Sequence, residues 1–482
     1  MNFKNKQVVV VGLGKSGLAA IELLEQQGVK ARATEESAKD SVVCLADKLR
    51  TQGIDVQTGG HTEDFLAGTD LIVTSPGVAN TALPLKWARQ KKVKVVDEIE
   101  LAYSFCKSPI ITITGTNGKS TTTSLVGHII KKSGKDAIIC GNIGNPFSGQ
   151  VMDAKEGDVI VLEASSFQLS RIDRFRPAVA IFLNATDNHL DRHSDFKDYF
   201  DSKMRIFENQ TKNDWAIINY EDKNIMKNAA RIKAKKIFFS TDVSVISSPL
   251  TLSLSPQGRG KKGEGVRNNK ISNFASIDIN RIFVQIGKDR TYICSVDDLK
   301  IKGRHNLENA LAAISAVFIF GVEPKEIAKA IKTFRGLEHR CEYVATIKGV
   351  RFINDSKSTT TDAAIKALDC CGQKVILIAG GRDKNTDFRP MINHIKDKVK
   401  ALILIGEARE KIRSVLSGTT VIKGAGSLNE AVESAFNIAK KGEDILLSPM
   451  CTSFDMFDDF EHRGRVFKDS VKRLERRCAR QG

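Results

Sequence analysis

In the run ITGTNGKSTTT, Gly115, Gly118, Lys119 and Ser120 stand where an apolar strand signal gives way to a helix. Glycines at such a junction let backbone N–H groups wrap nucleotide phosphates. A lysine there reaches the terminal phosphates, and a serine hydroxyl can bind Mg²⁺. Thr116, Asn117 and Thr121 belong to the same loop. It departs from GxxxxGK[ST] only in carrying Ile113 where the first glycine should be. Further on, DVIVLEASS ends an apolar strand in Glu163, the place where phosphate-loop proteins hold a metal-binding carboxylate. The next strand signal ends in LNATDNHLDRH, which adds Asp187, His189 and Asp191 at the same kind of strand end. Near the start, VVVVGLGKSG places Gly12, Gly14 and Gly17 in GxGxxG spacing, and Glu35 ends the following strand. Those glycines permit a tight turn and close backbone approach to a phosphate, and the acid can accept a ribose or base hydrogen bond. Taken alone this motif suggests NAD, but no hydride-transfer site accompanies it.

These residues need strands to carry them. Gln7–Val11, Val29–Thr34 and Leu71–Gly77 read as strands ending in turns, with a helix over Gly17–Gln27. A second unit begins near SPIITITGTNGKS, and a third after TFRGLEHR with strand signals VRFIND, KVILIAGG, ALILIG and DILLSP. Strand and helix alternate throughout, which predicts an α/β protein of parallel sheets with ligands at the carboxyl ends of the strands. At about 150 residues per domain, 482 residues suggest about three domains.

Composition narrows the function classes. No apolar run approaches the ~18 residues of a membrane span, and the stretch Leu311–Phe320 has the length of a core helix. The apolar stretch after the amino-terminal lysines breaks at Gly12, so no secretion signal is predicted. Nine scattered cysteines without a CxxC pair predict reduced thiols rather than a disulfide frame or zinc site. The net charge of +17 invites a nucleic-acid reading, yet Gln257–Lys270 and Lys468–Arg480 each carry a net +4. The first lies in a low-complexity Gly/Ser/Lys segment, Ser247–Asn269, and the second reads as the polar face of a terminal helix. Aromatics are only 6% and no nucleic-acid-binding motif is present.

Together GTNGKST, EASSFQL, NATDNHLDRH, KGRHNLENALAA, FINDSKST and LLSPMCTSFDMFDDFEHRG resemble the Mur ligases of peptidoglycan synthesis, most closely their D-glutamate-adding members. The likeness spans nearly the whole chain apart from Ser247–Asn269. Folylpolyglutamate synthases share the ATP core but lack the GxGxxG domain. The resemblance implies three domains: a Rossmann-like UDP-binding domain over 1–105, a P-loop ATP-binding domain over 106–336 with the basic insertion at about 247–269, and a Rossmann-like amino-acid-binding domain over 337–482. It implies a cytoplasmic, monomeric enzyme that joins D-glutamate to UDP-N-acetylmuramoyl-L-alanine through an acyl phosphate, using ATP and two Mg²⁺ ions, with no nucleic-acid partner and no membrane insertion.

Residue roles follow from the resemblance alone. Lys119 and Ser120 match the phosphate and Mg²⁺ contacts, Glu163 and His189 match metal ligands, and Lys203 in FDSKMRIFEN matches a lysine that the family carbamylates. Nothing in the residues themselves singles out Lys203. Asn309, Arg340, Asp355 and Lys357 match further ATP contacts. In this family the GxGxxG counterpart holds UDP, so Gly14, Lys15, Ser16 and Gly17 would meet the diphosphate, with Glu35 and Glu36 near the uridine. Ser75, Pro76 and Gly77 match a turn against the nucleotide, and Asn142 a contact to the muramoyl part. Thr359, Lys384, Ser453 and Phe460 match the D-glutamate contacts. A lysine and hydroxyls suit a dicarboxylate, because size alone discriminates by only ~1–3 kcal/mol. Met450, Thr452, Thr360, Asn188 and Ser37 depart from the family pattern.

Overall fold

The computed structural model describes residues 3, 5–186, 193–242, 272–372, 374–383 and 385–480. Among these the chain forms two compact units, Met1–Leu299 with Asn306–Phe334, and Lys300–His305 with Arg335–Gly482. Three sheets organise them.

In the first unit, β1 (Val8–Val11), β2 (Ala31–Glu35), β3 (Asp55–Thr58), β4 (Leu71–Thr74) and β5 (Lys94–Asp97) form a parallel sheet of order β3-β2-β1-β4-β5. The β-branched run of β1 is buried on both faces, as a central parallel strand requires. The second sheet holds β6 (Ile110–Thr114), β7 (Ala137–Gly141), β8 (Val159–Glu163), β9 (Val179–Phe182), β10 (Trp215–Asn219), β11 (Lys235–Ser240), β12 (Phe274–Asp278), β13 (Arg281–Ile286) and β14 (Asp289–Ser295). Its order is β14-β13-β12-β11-β10-β9-β6-β8-β7. The strand order reverses around β6, which is where an α/β sheet opens a ligand crevice.

This sheet is not wholly parallel as the alternation predicts: β12–β13 and β13–β14 pair antiparallel. Ile279 and Asn280, at φ 41° and 65°, make the two-residue turn between β12 and β13. Gly287 at φ 63° opens the next turn. The segments FASID, RIFVQI and DRTYICS alternate polar and apolar residues only weakly around those turns, and that faint period of two is the one sequence mark of this edge.

The first two sheets are joined through a buried acid. Glu100 accepts hydrogen bonds from the backbone N–H groups of Asp173 (2.8 Å), Arg174 (2.9 Å) and Phe175 (2.9 Å). Arg171 spans the same seam, donating to Thr74 Oγ1 (3.0 Å), the Val78 carbonyl (3.1 Å) and Asn80 Oδ1 (2.7 Å). One apolar core runs continuously beneath, from Val8 and Val10 through Phe147 to Phe182 and Ile218.

The second unit carries β15 (Glu342–Ile347), β16 (Val350–Asn354), β17 (Val375–Gly380), β18 (Val399–Ile405), β19 (Val421–Gly424) and β20 (Asp444–Leu447) in the order β15-β16-β20-β17-β18-β19. Only the β15–β16 edge is antiparallel. The terminal helix Phe460–Ala479 buries Phe467, Val471 and Leu474 and leaves Lys472, Arg473, Arg476 and Arg477 exposed, as its amphipathic pattern predicts. Among the described residues no helix is long and apolar enough to cross a membrane. The segment Ser247–Asn269 lies outside the described residues.

Candidate active site

The loop between β6 and the helix Lys119–Lys132 is held open by its glycines and clamped from the side. Gly118 has φ +84°, and a Cβ there would come within 2.1 Å of Asn309 Oδ1, so only glycine lets Asn309 approach the loop. Asn184 grips the opposite side: its Oδ1 accepts from Asn117 N at 2.9 Å and its Nδ2 donates to the Asn117 carbonyl at 3.2 Å. Thr116 Oγ1 lies 2.9 Å from the buried Tyr199 hydroxyl and accepts from Thr186 N at 3.0 Å. Such double-sided satisfaction fixes a backbone cradle before any phosphate arrives. Lys119 Nζ donates to the carbonyls of Gly115 and Thr116, both at 3.0 Å, folding back over the loop. Ser120 and Thr121 are buried at the first turn of the helix.

Lys203 enters the same place from the helix Phe196–Met204. Its side chain is 2% exposed, and Nζ donates to the Gly115 carbonyl at 2.9 Å. The ammonium sits 4.7 Å from the Tyr199 ring centroid. Burial first, and then the neighbouring Lys119 charge, lowers its pKa well below the ordinary lysine range, while Glu163 opposes the shift. The amine is thus pushed toward its neutral, nucleophilic form.

Glu163 ends β8 and is 2% exposed. Oε1 accepts from Asn142 Nδ2 at 2.8 Å, while Oε2 is buried with no hydrogen-bond partner. A buried carboxylate oxygen left bare carries a large desolvation cost unless a cation meets it. These residues therefore fit a divalent ion: an unpaired hard oxygen, a serine hydroxyl at the helix start and a phosphate cradle in one unit. Asn142, expected at the muramoyl part of the substrate, orients Glu163 in this structure. His189, with Asp187, Asp191 and Asn188, lies outside the described residues.

One residue here escaped the sequence reading. His193 is buried between Ser166 Oγ (3.0 Å) and Asp198 Oδ2 (3.0 Å), with its ring stacked on Phe167 at 5.0 Å. It lies in the same NHLDRH run as His189, and no spacing distinguishes the two.

In the amino-terminal sheet the turn after β1 needs both glycines. Gly12 has φ +95°, and a Cβ on Gly17 would meet the Gly12 carbonyl oxygen at 1.8 Å. Gly14 and Lys15 are exposed and Ser16 half-buried at the start of the helix Lys15–Gln26. Ser75 Oγ donates to the Gly12 carbonyl at 3.1 Å, so the turn Ser75-Pro76-Gly77 buttresses the glycine turn. Glu35 spends one oxygen on Leu13 N (2.8 Å) and the other on Ser37 N (3.0 Å), so it shapes the loop it was expected to serve. Glu36 is exposed beside it.

The second unit gathers most of its expected residues at the carboxyl ends of β16 and β20. Asp355 is buried, accepting from Cys341 N at 3.1 Å and Ser448 Oγ at 2.9 Å; burial raises its pKa to about 6. Lys357 Nζ lies 5.4 Å from the Phe460 ring centroid, a cation–π contact, and its N–H donates to His339 O at 3.1 Å. Arg340 follows His339, a non-glycine residue at φ 63°. Thr359 is half-buried and Ser453 buried. Lys384 lies outside the described residues. Thr360 caps the helix Thr361–Asp369 through its hydroxyl, accepting from Ala363 N at 3.3 Å, a role asparagine fills equally well. Thr452 Oγ1 donates to the Arg382 carbonyl at 3.1 Å, and Ser37 Oγ accepts from Lys39 N at 3.3 Å, so these departures have local structural roles.

The sequence reading also missed Arg463. It is fully buried and donates from Nε to Ser356 Oγ (3.0 Å), from one terminal nitrogen to Ser356 O (2.8 Å), and from the other to Cys451 O (3.2 Å). The guanidinium thus ties the Asp355–Lys357 turn to the segment leading to Ser453. Its place in EHRGR, among other basic residues of a terminal helix, hides it.

A nucleotide cradle with a bare carboxylate and a buried amine, and a second α/β unit bearing cationic and hydroxyl groups, define an ATP-using α/β enzyme. The chain belongs to the Mur ligase family, ATP-dependent ligases of peptidoglycan precursor synthesis. The family descriptions that match are the Mur ligase middle domain (113–317), the Mur ligase MurD-like N-terminal domain (6–97) and the Mur ligase glutamate ligase domain (339–451). Similar relatives include the UDP-N-acetylmuramoylalanine–D-glutamate ligase of Thermoanaerobacter pseudethanolicus, 41% identical over 99% of this chain and 100% of its own. The enzyme of that name from Koribacter versatilis is 40% identical over 98% and 99%. Among solved structures, MurF ligase from Thermotoga maritima in complex with ADP aligns at TM-score 0.56 and 15% identity, covering 98% of this chain and 97% of its own. UDP-N-acetylmuramate-alanine ligase from Thermotoga maritima aligns at 0.53 and 18% identity, over 97% and 99%.

Proposed function

We propose that this enzyme joins D-glutamate to UDP-N-acetylmuramoyl-L-alanine in the cytoplasm, with ATP hydrolysed to ADP and phosphate. The observation that carries the reading is Lys203 buried within the electrostatic reach of Lys119 and of Glu163, whose Oε2 is bare. The substrate choice is supported by the relatives' names at about 40% identity over the full chain.

Gly115, Thr116, Asn117, Gly118, Lys119, Ser120 and Thr121 hold the ATP phosphates, and Asn309 packs on the cradle. Arg340, Asp355 and Lys357 are assigned to the nucleotide as well. Gly14, Lys15, Ser16 and Gly17 receive the diphosphate of the UDP substrate, with Glu35, Glu36, Ser75, Pro76 and Gly77 around its nucleoside and Asn142 near the muramoyl group. Thr359, Lys384, Ser453 and Phe460 receive D-glutamate. Two Mg²⁺ ions would be held by Ser120, Glu163, His189 and Lys203 as its carbamate. Bound there, they would supply Lewis-acid neutralisation of the crowded phosphates and carboxylate.

The protein's own part is positioning. Lys119 stabilises charge on the phosphoryl group as it passes to the substrate carboxylate. The acyl phosphate so formed is attacked by the D-glutamate amine, and phosphate leaves. A neutral Lys203 amine suits its modification: nitrogen bonds to the carbon of CO₂ and loses one proton, turning a cation into a carboxylate-like anion. We assign the domains to 1–105, 106–336 and 337–482, and the working state to a monomer.

A phosphate-release assay with UDP-N-acetylmuramoyl-L-alanine, ATP and Mg²⁺ tests the reading. D-glutamate should support turnover. Release with L-glutamate or meso-diaminopimelate but not with D-glutamate would overturn the substrate assignment.

A further inference from the structure

After β4 the chain makes the turn Ser75-Pro76-Gly77 and runs on to Asn80 before the helix Leu83–Lys91 begins. This stretch lies directly on the glycine turn that follows β1. A Cβ on Gly12 would meet Ser75 Oγ at 3.0 Å and Val78 Cγ2 at 3.3 Å, and Ser75 Oγ donates to the Gly12 carbonyl. Within the stretch, Val78 N donates to the Ser75 carbonyl at 3.1 Å.

Arg171 brackets the stretch from beyond β8. One terminal nitrogen donates to Thr74 Oγ1 at 3.0 Å; the other donates to the Val78 carbonyl at 3.1 Å and to Asn80 Oδ1 at 2.7 Å. The Thr74 hydroxyl donates onward to the Val96 carbonyl at 3.3 Å, which fixes the direction in which it accepts from Arg171. A planar guanidinium can hold both sides of the turn at once, which the point charge of a lysine ammonium cannot. The backbone that carries Arg171 is held by other groups. Arg205 donates to the carbonyls of Ser170 and Ile172, Glu100 accepts from the N–H groups at 173–175, and the Arg171 carbonyl accepts from Asp97 N at 3.3 Å. Removing the guanidinium therefore leaves this segment anchored and releases the turn.

We propose that Arg171 is a positioning residue for the UDP substrate: it locks residues 74–80 against Gly12 and so presets the glycine turn that receives the diphosphate. The proposal rests on the reading above that places UDP at residues 14–17 and 75–77. A turn already ordered loses little conformational freedom when its ligand arrives, so the guanidinium acts on substrate affinity. The phosphoryl transfer and the ATP cradle belong to a different loop, and their constants stay as they are.

Steady-state phosphate release by the full chain reads this division. In Arg171→Met, KM for UDP-N-acetylmuramoyl-L-alanine should rise about tenfold or more, the equivalent of one charged hydrogen bond. In the same variant kcat and KM for ATP should stay within about twofold of the wild type, and Arg171→Lys should restore the UDP-substrate KM only in part. Asn80→Ala removes one exposed partner of the clamp and should raise the same KM by about threefold. It carries the test if circular dichroism shows Arg171→Met to be poorly folded. Hydrogen–deuterium exchange supplies the second readout. In the wild type, the UDP substrate should slow exchange at 12–17 and 75–80. In Arg171→Met without substrate, the Val78 amide should exchange about tenfold faster. An unchanged KM for the UDP substrate, or a fall in kcat with both KM values rising alike, would overturn the proposal. Protection of both turns in the wild type, with unchanged KM in Arg171→Met, removes the role of Arg171 alone. No protection in the wild type removes the UDP reading, and the role with it.

Discussion

Replacing Arg463 by methionine isolates the work of one buried cation. Its three bonds reach Ser356 Oγ, Ser356 O and Cys451 O at 2.8–3.2 Å. Hydrogen bonds to a charged group contribute ~1.5–3 kcal/mol each, so the set gives roughly 5–9 kcal/mol. Against this stands desolvation: burial lowers the guanidinium pKa from 12.5 to about 10, which at 1.36 kcal/mol per unit is a penalty of ~3 kcal/mol. The remainder centres on ~4 kcal/mol, within the range for breaking a buried charge network. The sign of the pH effect is also fixed. The folded-state pKa lies below the unfolded one, so the penalty is complete below pH ~10 and disappears only as the pH rises above it. Between pH 6 and 9 the loss in Arg463→Met should therefore be constant. Urea unfolding of the full chain can locate it, because both tryptophans, Trp87 and Trp215, lie in the first unit. Tryptophan fluorescence reports that unit, whereas far-ultraviolet circular dichroism reports both. The dichroism transition assigned to the second unit should move by the equivalent of about 3–5 kcal/mol. In the same variant KM for ATP and for D-glutamate should rise together, since the guanidinium joins both turns. A loss below ~1 kcal/mol, or one that varies between pH 6 and 9, would refute the argument.

Three further outcomes can be measured directly. Lys203→Ala should abolish turnover nearly completely, with partial recovery on adding short carboxylates; wild-type-like phosphate release would remove Lys203 from the mechanism. Glu100→Ala removes the charged acceptor of the N–H groups of Asp173, Arg174 and the buried Phe175, and should destabilise the first unit by ~3–5 kcal/mol in urea titrations followed by tryptophan fluorescence. Asp355 has a folded-state pKa raised to about 6 by burial. Its contribution to stability is thus complete below pH ~4 and is lost as the pH rises through 6, by ~3 kcal/mol. The Asp355→Asn variant should show a flatter stability profile across that window, and an unchanged slope would contradict it.

Much of the fold is legible in the chain because central parallel strands leave a strong mark. The runs at Val8–Val11, Val159–Glu163 and Val375–Gly380 are apolar on both faces and end in glycine or polar residues. The antiparallel edge from Phe274 to Ser295 was harder to see, since its strands follow a low-complexity segment and alternate only weakly. At the site, the GKST loop announces itself through backbone demands that few other sequences meet. Lys203 does not. A helical lysine is ordinarily solvated, and only the packing of Tyr199 and the P-loop around it produces its burial. Arg463 and Glu100 are hidden for the same reason: most of their partners are main-chain groups, which carry no sequence identity.

The buried charges separate by how their valences are met. Glu100 and Arg463 have several short bonds to backbone groups and hold segments in register, which is architecture. Asp97 and Glu98, each with one oxygen unpartnered, are raised to about 8 and about 7, with burial the main cause, and so relieve the cost by taking up a proton. Lys203 relieves its cost in the opposite direction, by giving one up. A buried amine driven toward neutrality next to a carboxylate oxygen that lacks a partner has two stable outcomes: it stays neutral, or it becomes an anion and the pair recruits cations. The phosphate cradle beside them would make the second outcome useful, because cations held there would also meet ATP, in the reading proposed above. The chemistry of the site therefore begins with an unpaid desolvation cost at Lys203 and Glu163 rather than with any one ligand.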